Sequence, residues 1–379
     1  MTEIYFDNSS TTKVCREAAE KVMETMTENY GNPSSLHTKG FEAEQVMRGA
    51  RSNVSGLLGV QPEEIFFTSG GTEGNNIALF GAAHARKKRG NRIVTTMIEH
   101  PSVVNVMKRL EQEGFDVVSL KPDGAGKISP EQLFEAVTPE TVLVSMMKVN
   151  NEVGSILPVE AAAEAIARAK APALLHVDAV QAFGKLALHP KKADVDLMSM
   201  SGHKIHGPKG VGALYVRRGV HIEPLTFGGG QEKDIRPGTE SVPLIAGLGA
   251  AVAVLPDPSE ELPKMRELNG FLRGGLAEIG GVAVNSPEDG LPYILNFSAG
   301  EVRAETMLHF LSDRGIYVSS GSACSKGRES YVLRAMGLQK ERIASSLRLS
   351  FSRFNTIEEA KVFLSALKEG LAGLAKRPL

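Results

Sequence analysis

Apolar residues recur along the chain in runs of strand length, at residues 64–67, 92–96, 116–120, 142–146, 174–177, 196–200 and 211–216. Between many of them lie longer amphipathic stretches of helical length, among them 72–86, 101–113 and 159–170. Strand and helix alternating in this way imply βαβ units, hence an α/β protein whose large domain holds a mostly parallel seven-stranded sheet with helices on both faces. We assign residues 14–255 to that domain. The texture changes at LPDPSEELP, residues 255–263, where three prolines in nine positions predict a boundary. Beyond it the pattern predicts a helix over 261–279, strands near 282 and over 293–297, 316–318 and 346–351, and a last helix from 356. These make a smaller α+β domain over 256–379. Residues 1–13 are assigned to it as well, because the short apolar strand at 4–6 has no early partner.

Length changes the picture little: 379 residues suffice for two packed units. Charge changes it more. With 43 Lys and Arg against 44 Asp and Glu, the chain has no broad field to attract nucleic acid or an anionic membrane, and neither is expected as a partner. The N-terminus MTEIYFDNSS lacks a basic segment followed by an apolar one, which speaks against secretion. The longest apolar candidate, 244–255, falls short of the roughly 20 residues a bilayer needs. Two cysteines, Cys15 and Cys324, form no CxxC or knuckle pattern. A disulfide scaffold and a structural zinc are therefore excluded, and a reducing cytoplasm is the expected location.

Chemistry collects at the ends of the predicted strands, where open α/β sheets bind ligands. SMSGHKIHGPKG, residues 199–210, presents Lys204 among small and polar residues; an amine sheltered there can form a Schiff base with an aldehyde, although an ordinary loop lysine fits the same string. LLHVDAVQ, residues 174–181, ends a buried strand in Asp178. A carboxylate there needs a cation or donor, either the protonated nitrogen of a pyridine ring or the backbone N–H groups of a capped turn. Gln181 could donate to the ring's phenolate. FTSGGTEG, residues 67–74, offers strand, glycine turn and helix start. Its free N–H groups with the Thr72 hydroxyl suit a phosphate dianion, and a plain structural turn would look alike. No GxGxxG or Walker A string occurs, so a dinucleotide or nucleotide triphosphate has no fingerprint.

His100 in TMIEHP could stack on a cofactor ring and shuttle protons, or merely occupy a loop. Asn151 in VNNEVG follows the next strand. Cys324 lies in VSSGSACSKGR, whose Ser/Gly content predicts exposure and mobility and whose Lys326 and Arg328 favour a thiolate, so it is read as a nucleophile. Cys15 is read as a packing residue. Arg348 in SLRLS wants a carboxylate, from the substrate or from a structural salt bridge.

Ten blocks in order along nearly the whole chain carry a resemblance: YFDNSSTT, GNPSSLH, FTSGGTEGNN, EHPSV, VNNEVG, HVDAVQ, SGHKIHGPKG, RPGTE, SSGSACS and SLRLSF. The chain resembles cysteine desulfurases of the nitrogen-fixation and iron–sulfur-cluster type, in the class V aminotransferase group of pyridoxal phosphate enzymes. That resemblance implies the fold type I of pyridoxal phosphate transferases and a homodimer. It implies Lys204 as the covalent anchor of the cofactor, phosphate ligands in Gly71, Thr72, Ser201 and His203, and Asp178 on the pyridine nitrogen. Gln181 would take the phenolate oxygen, His100 would stack on the ring, and Asn151 would touch cofactor and substrate. Thr239 of RPGTE would reach the neighbouring subunit's phosphate, and Arg348 with Asn151 would hold the substrate carboxylate.

The implied activity converts L-cysteine to L-alanine and passes sulfur to Cys324 as a persulfide. An acceptor protein, such as an iron–sulfur scaffold or a tRNA-thiolating protein, would follow, with Cys324 in at most transient contact with an iron–sulfur metal centre. One departure stands out: only six residues, 325–330, separate Cys324 from Tyr331, fewer than in the housekeeping members, which leaves the reach of that segment open. The rival readings are another class V reaction, such as selenocysteine lysis or transamination, and a non-catalytic sulfur-assembly scaffold.

Overall fold

The computed structural model describes residues 3–320 and 329–374. Seven strands form the main sheet, in the spatial order Ile65–Thr68, Gly212–Val216, Leu197–Ser201, Leu174–Asp178, Thr141–Met147, Arg92–Thr96 and Asp116–Leu120. The last five run parallel, whereas Gly212–Val216 is antiparallel to both of its neighbours. A parallel neighbour requires a helical crossover. The short link from Ser201 through Lys204 to Gly212 contains only a turn of 3-10 helix, so the chain doubles back. Thr141–Met147 and Leu174–Asp178 are buried at every position, as mostly apolar strands between two helical layers should be.

Helix boundaries follow local chemistry. Helix Thr38–Leu58 starts where the His37 side chain accepts from Gly40 N–H, and stops at Gly59, whose φ of 64° no side-chain-bearing residue adopts cheaply. The helix predicted over 261–279 spans Pro258–Ala277 instead. Asp257 caps it by accepting from Ser259 N–H at 2.7 Å, and Pro258 stands at the first position, where a missing N–H costs nothing. The proline-rich string is therefore a helix start, and Pro263 lies inside the helix.

Two further sheets flank the first. Val282–Val284, Ile294–Ala299, Ser346–Ser350 and Ser319–Ser320 make an antiparallel group, and Ile4–Tyr5 pairs in parallel with Ile316–Tyr317. The strand expected over 316–318 is present as Ile316–Tyr317, and Ser319–Ser320 just beyond it belongs to the other sheet. Ser319 is registered opposite Arg348, and Asp7 bridges to Ser350. Through these pairings the segment after Tyr5 crosses the C-terminal ends of the main strands, where it becomes part of the site.

Candidate active site

A cleft of about 440 Å³ opens at the C-terminal ends of the parallel strands, a size typical of small-ligand sites. Ten of the twelve residues singled out from the sequence line it: Gly71, Thr72, His100, Asn151, Asp178, Gln181, Ser201, His203, Lys204 and Arg348. Thr239 does not; it stands exposed in the loop before helix Val242–Ala253. Cys324, with the metal contact expected of it, lies outside the described residues. Among the described residues no three His, Cys, Asp or Glu side chains gather into a set able to hold a metal.

Lys204 projects from the turn after Leu197–Ser201, and its Nζ donates to the main-chain carbonyls of Ser9 and Ser10, each at 2.6 Å. The N-terminal segment is pinned for this purpose: Thr12 N–H donates to the His203 carbonyl at 2.9 Å and His206 N–H to Thr12 Oγ1 at 2.8 Å. Two oxygens with no positive charge of their own stabilise an amine at a defined point in the cleft.

Asp178 caps a turn, as one of the two readings of its carboxylate has it, and also meets a side-chain amide. Oδ1 accepts from Val180 N–H at 3.0 Å, which caps the following turn, while Oδ2 accepts from Asn75 Nδ2 at 2.8 Å. Each carboxylate oxygen retains lone-pair capacity for a cationic donor in the cleft. Asn75 also donates to Ser102 Oγ at 2.8 Å, and its own Oδ1 is buried without a partner among the described residues. His100 caps helix Pro101–Gln112, its Nδ1 accepting from Ser102 N–H at 3.1 Å, so the neutral ring carries its proton on Nε2. Burial lowers its pKa; Asp178 opposes that shift and Lys204 adds to it.

The residues fit pyridoxal phosphate on three structural grounds. First, helix Gly71–Arg86 begins at the cleft, and its opening N–H groups have no intrahelical partner. Its cradle admits no side chain at position 71, where a Cβ would lie 2.6 Å from Val180 Cγ2. Second, the hydroxyls of Thr72 and Ser201 border the same corner, with His203, a ring that burial pushes down to about 4 and so keeps neutral at pH 7. Third, an amine and a buried carboxylate share the cleft, which matches a group carrying an aldehyde and a basic ring nitrogen.

Arg348 is 2% exposed. It donates to the Asn151 carbonyl at 2.8 Å, to Asp7 Oδ1 at 2.8 Å and to Ser10 Oγ at 2.7 Å, leaving Nε buried and, among the described residues, unpaired. The salt bridge offered as the rival reading therefore exists, and the guanidinium still lines the cleft.

Several functional neighbours were not singled out from the sequence. Glu152 lines the cleft and accepts from Ser330 Oγ; burial raises its carboxyl to about 7, against the pull of that hydrogen bond and of Arg348. Tyr331 donates to the Glu99 carbonyl. Asn75 carried one signal, a polar side chain on a helix whose neighbours Gly74, Ile77 and Ala78 are all buried. Cys15 is buried beside Ala18 and Ala251 as a packing residue, its thiol pKa raised by burial.

Comparison with known proteins bears on the same residues. The profile of the family described as Aminotransferase class-V matches residues 4–363. A "NifS/IcsS protein homolog" of Lactobacillus delbrueckii subsp. bulgaricus is 43% identical over 373 residues, 97% of this chain and 96% of that protein. A "Cysteine desulfurase IscS" of Methanosarcina thermophila is 41% identical over 370 residues, covering 97% and 91%. Among solved structures, a "NIFS-LIKE PROTEIN" superposes with a TM-score of 0.93 at 40% identity, covering 98% of this chain and 100% of that one.

Proposed function

The chain belongs to the aminotransferase class-V family, and we propose that it is a pyridoxal phosphate-dependent cysteine desulfurase. It takes the sulfur of L-cysteine, leaves L-alanine, and hands the sulfur first to Cys324 and then to an acceptor protein. One observation carries the reading beyond the relatives' names: both described flanks of the segment bearing Cys324 adjoin the cleft. Ser319 and Ser320 pair with the strand at Arg348 and Leu347, and Ser330 and Tyr331 return to the wall at Glu152 and Glu99.

When bound, pyridoxal phosphate supplies a sink for the charge that develops at the substrate's α-carbon. Gly71, Thr72, Ser201 and His203 are the residues to seat its phosphate, Asp178 and Gln181 to hold the ring, and Lys204 to anchor it covalently. Arg348, aided by Asn151, takes the substrate's carboxylate and so fixes which bond at the α-carbon faces Lys204. Lys204 Nζ is the base for the α-proton, and the wall of Met147, Val149 and Val180 keeps bulk water from it. The Cys324 thiolate then attacks the substrate sulfur. An S–S bond forms as the C–S bond breaks, the bonding pair stays with the β-carbon, and a proton completes alanine.

The reading includes a homodimer, since Thr239 is exposed and away from its own chain's cleft and fits a residue serving a neighbour's site. It also includes action in the cytoplasm and delivery to an iron–sulfur or thiolation partner. Among the described residues no single helix is long and apolar enough to cross a membrane.

The test mixes the cofactor-loaded protein with L-cysteine and a reductant. Alanine and sulfide are expected in equal amounts. Cys324→Ser should abolish both while the cofactor's absorbance persists, and borohydride should fix the cofactor on Lys204. Undiminished sulfide from Cys324→Ser removes the nucleophile, and a label fixed elsewhere removes the anchor.

A further inference from the structure

Behind the cleft wall lies a second buried amine for which the reaction above has no use. Lys185 is 7% exposed, and among the described residues it forms no ion pair. The turn after Leu174–Asp178 puts it four residues from Gln181, with Phe183 N–H donating to the Ala179 carbonyl and Lys185 N–H to that of Ala182. Gly184, at φ 71°, packs so closely that a Cβ would meet Leu255 Cδ1 at 2.8 Å. Lys185 Nζ then donates to Gln181 Oε1 at 3.3 Å and stands 5.7 Å from the centre of the Tyr293 ring.

The bond belongs to a chain. Gln181 Nε2 donates to the Ser9 carbonyl at 3.0 Å, and that same oxygen accepts from Lys204 Nζ at 2.6 Å. A void of about 30 Å³ is lined by both lysines. Burying an amine without a carboxylate partner opposes folding, so packing alone does not account for it. Burial, with the charges of Lys204 and Arg348, brings its pKa down to about 7. Charged or neutral, the amine offers donors, and a donor on one side of a carboxamide sends the carbonyl there and the NH₂ to the other side.

We propose that Lys185 is a positioning residue for the cofactor seat: by donating to Gln181 Oε1 it fixes the amide so that its NH₂ faces Ser9 and the cleft. The inference rests on the reading of Gln181 as a partner of the cofactor's phenolic oxygen. Flipped, the amide would set its oxygen against the Ser9 carbonyl and offer no donor to the ring.

The experiment compares Lys185→Met, Lys185→Arg, Gln181→Ala and the Lys185→Met/Gln181→Ala double variant. Three quantities are read: the absorption maximum of the loaded protein without substrate, the cofactor's dissociation constant, and urea unfolding of the cofactor-free chain. Lys185→Met should shift the maximum and weaken cofactor binding about tenfold, Lys185→Arg should restore both, and the double variant should match Gln181→Ala alone. The cofactor-free Lys185→Met chain should unfold at the same or a higher urea concentration, which a merely structural amine would not allow. Should that variant fail to fold, Lys185→Gln enters the same cycle. Effects that add in full, or an unchanged absorption maximum in Lys185→Met, overturn the assignment while leaving Gln181 in place. A Gln181→Ala spectrum identical to the parent's overturns both the assignment and the reading of Gln181.

Discussion

Glu99 is wholly buried one residue before His100, at the edge of the cleft. Its Oε1 accepts from Thr96 Oγ1 at 2.6 Å and Met147 N–H at 3.1 Å, while Oε2 has no partner among the described residues. Burial raises its pKa to about 8, with Asp178 adding to the shift and the two donors opposing it. The folded chain therefore keeps a proton that the unfolded chain has lost above its ordinary carboxylate range. Stability is lost progressively as pH climbs from about 4.5 towards 8. Glu99→Gln preserves the acceptor and cannot ionise. Relative to the parent it should be near neutral at pH 5 and gain on the order of 2 kcal/mol by pH 8, read by urea unfolding at both pH values. A gain that does not grow with pH would mean Glu99 is already ionised in the fold. Nothing near Glu99 in the chain announces this. Lys204, Asp178 and His100 were legible because each follows an apolar run, whereas Asn75 acquires its meaning from Asp178, 103 positions away.

At the scale of elements, the strand ends were readable because period and punctuation are local: five of them carry the cleft's polar groups. The direction of Gly212–Val216 was not, since an apolar run has no sign, and only the shortness of its connection turns it back. The prolines at 256–263 put the expected helix start three residues late for a related reason: the same residue that ends one helix begins another when an aspartate precedes it. The start of helix Gly71–Arg86 carries a sharper consequence. A methyl at position 71 would press on Val180 Cγ2, and both residues line the cleft. Gly71→Ala should weaken cofactor binding at least tenfold with little change in the unfolding midpoint. Val180→Ala in the same chain should recover most of that loss. Equilibrium titration of the cofactor decides, and no recovery would place the damage in the backbone turn.

For the whole molecule, the cleft is one-sided in a chain that leaves large apolar side chains in water. Leu36 and Phe227 are almost wholly exposed, and Met23, Met26, Tyr30 and Phe41 are more than half exposed. These side chains are the candidates for the apolar contact that the dimer reading requires. Thr239 belongs to a loop in which Glu232, Lys233 and Asp234 all hold positive φ, a strain of order 1–3 kcal/mol per residue that surrounding contacts must offset. They do so through the Glu232 carboxylate, which takes Arg51 at 2.6 and 3.0 Å and Phe67 N–H at 2.8 Å. A neighbouring subunit that uses the exposed threonine would account for this strained loop anchored to the sheet. On the dimer reading, the parent should sediment as a dimer, and Leu36→Glu/Phe227→Glu should sediment as a monomer that binds the cofactor several-fold more weakly. Thr239→Ala should remain a dimer and show the same weakening, because it removes the reaching side chain and leaves the apolar contact intact. A parent monomer that holds its cofactor as firmly as the concentrated protein would sink the shared site, and with it the reason for the strain.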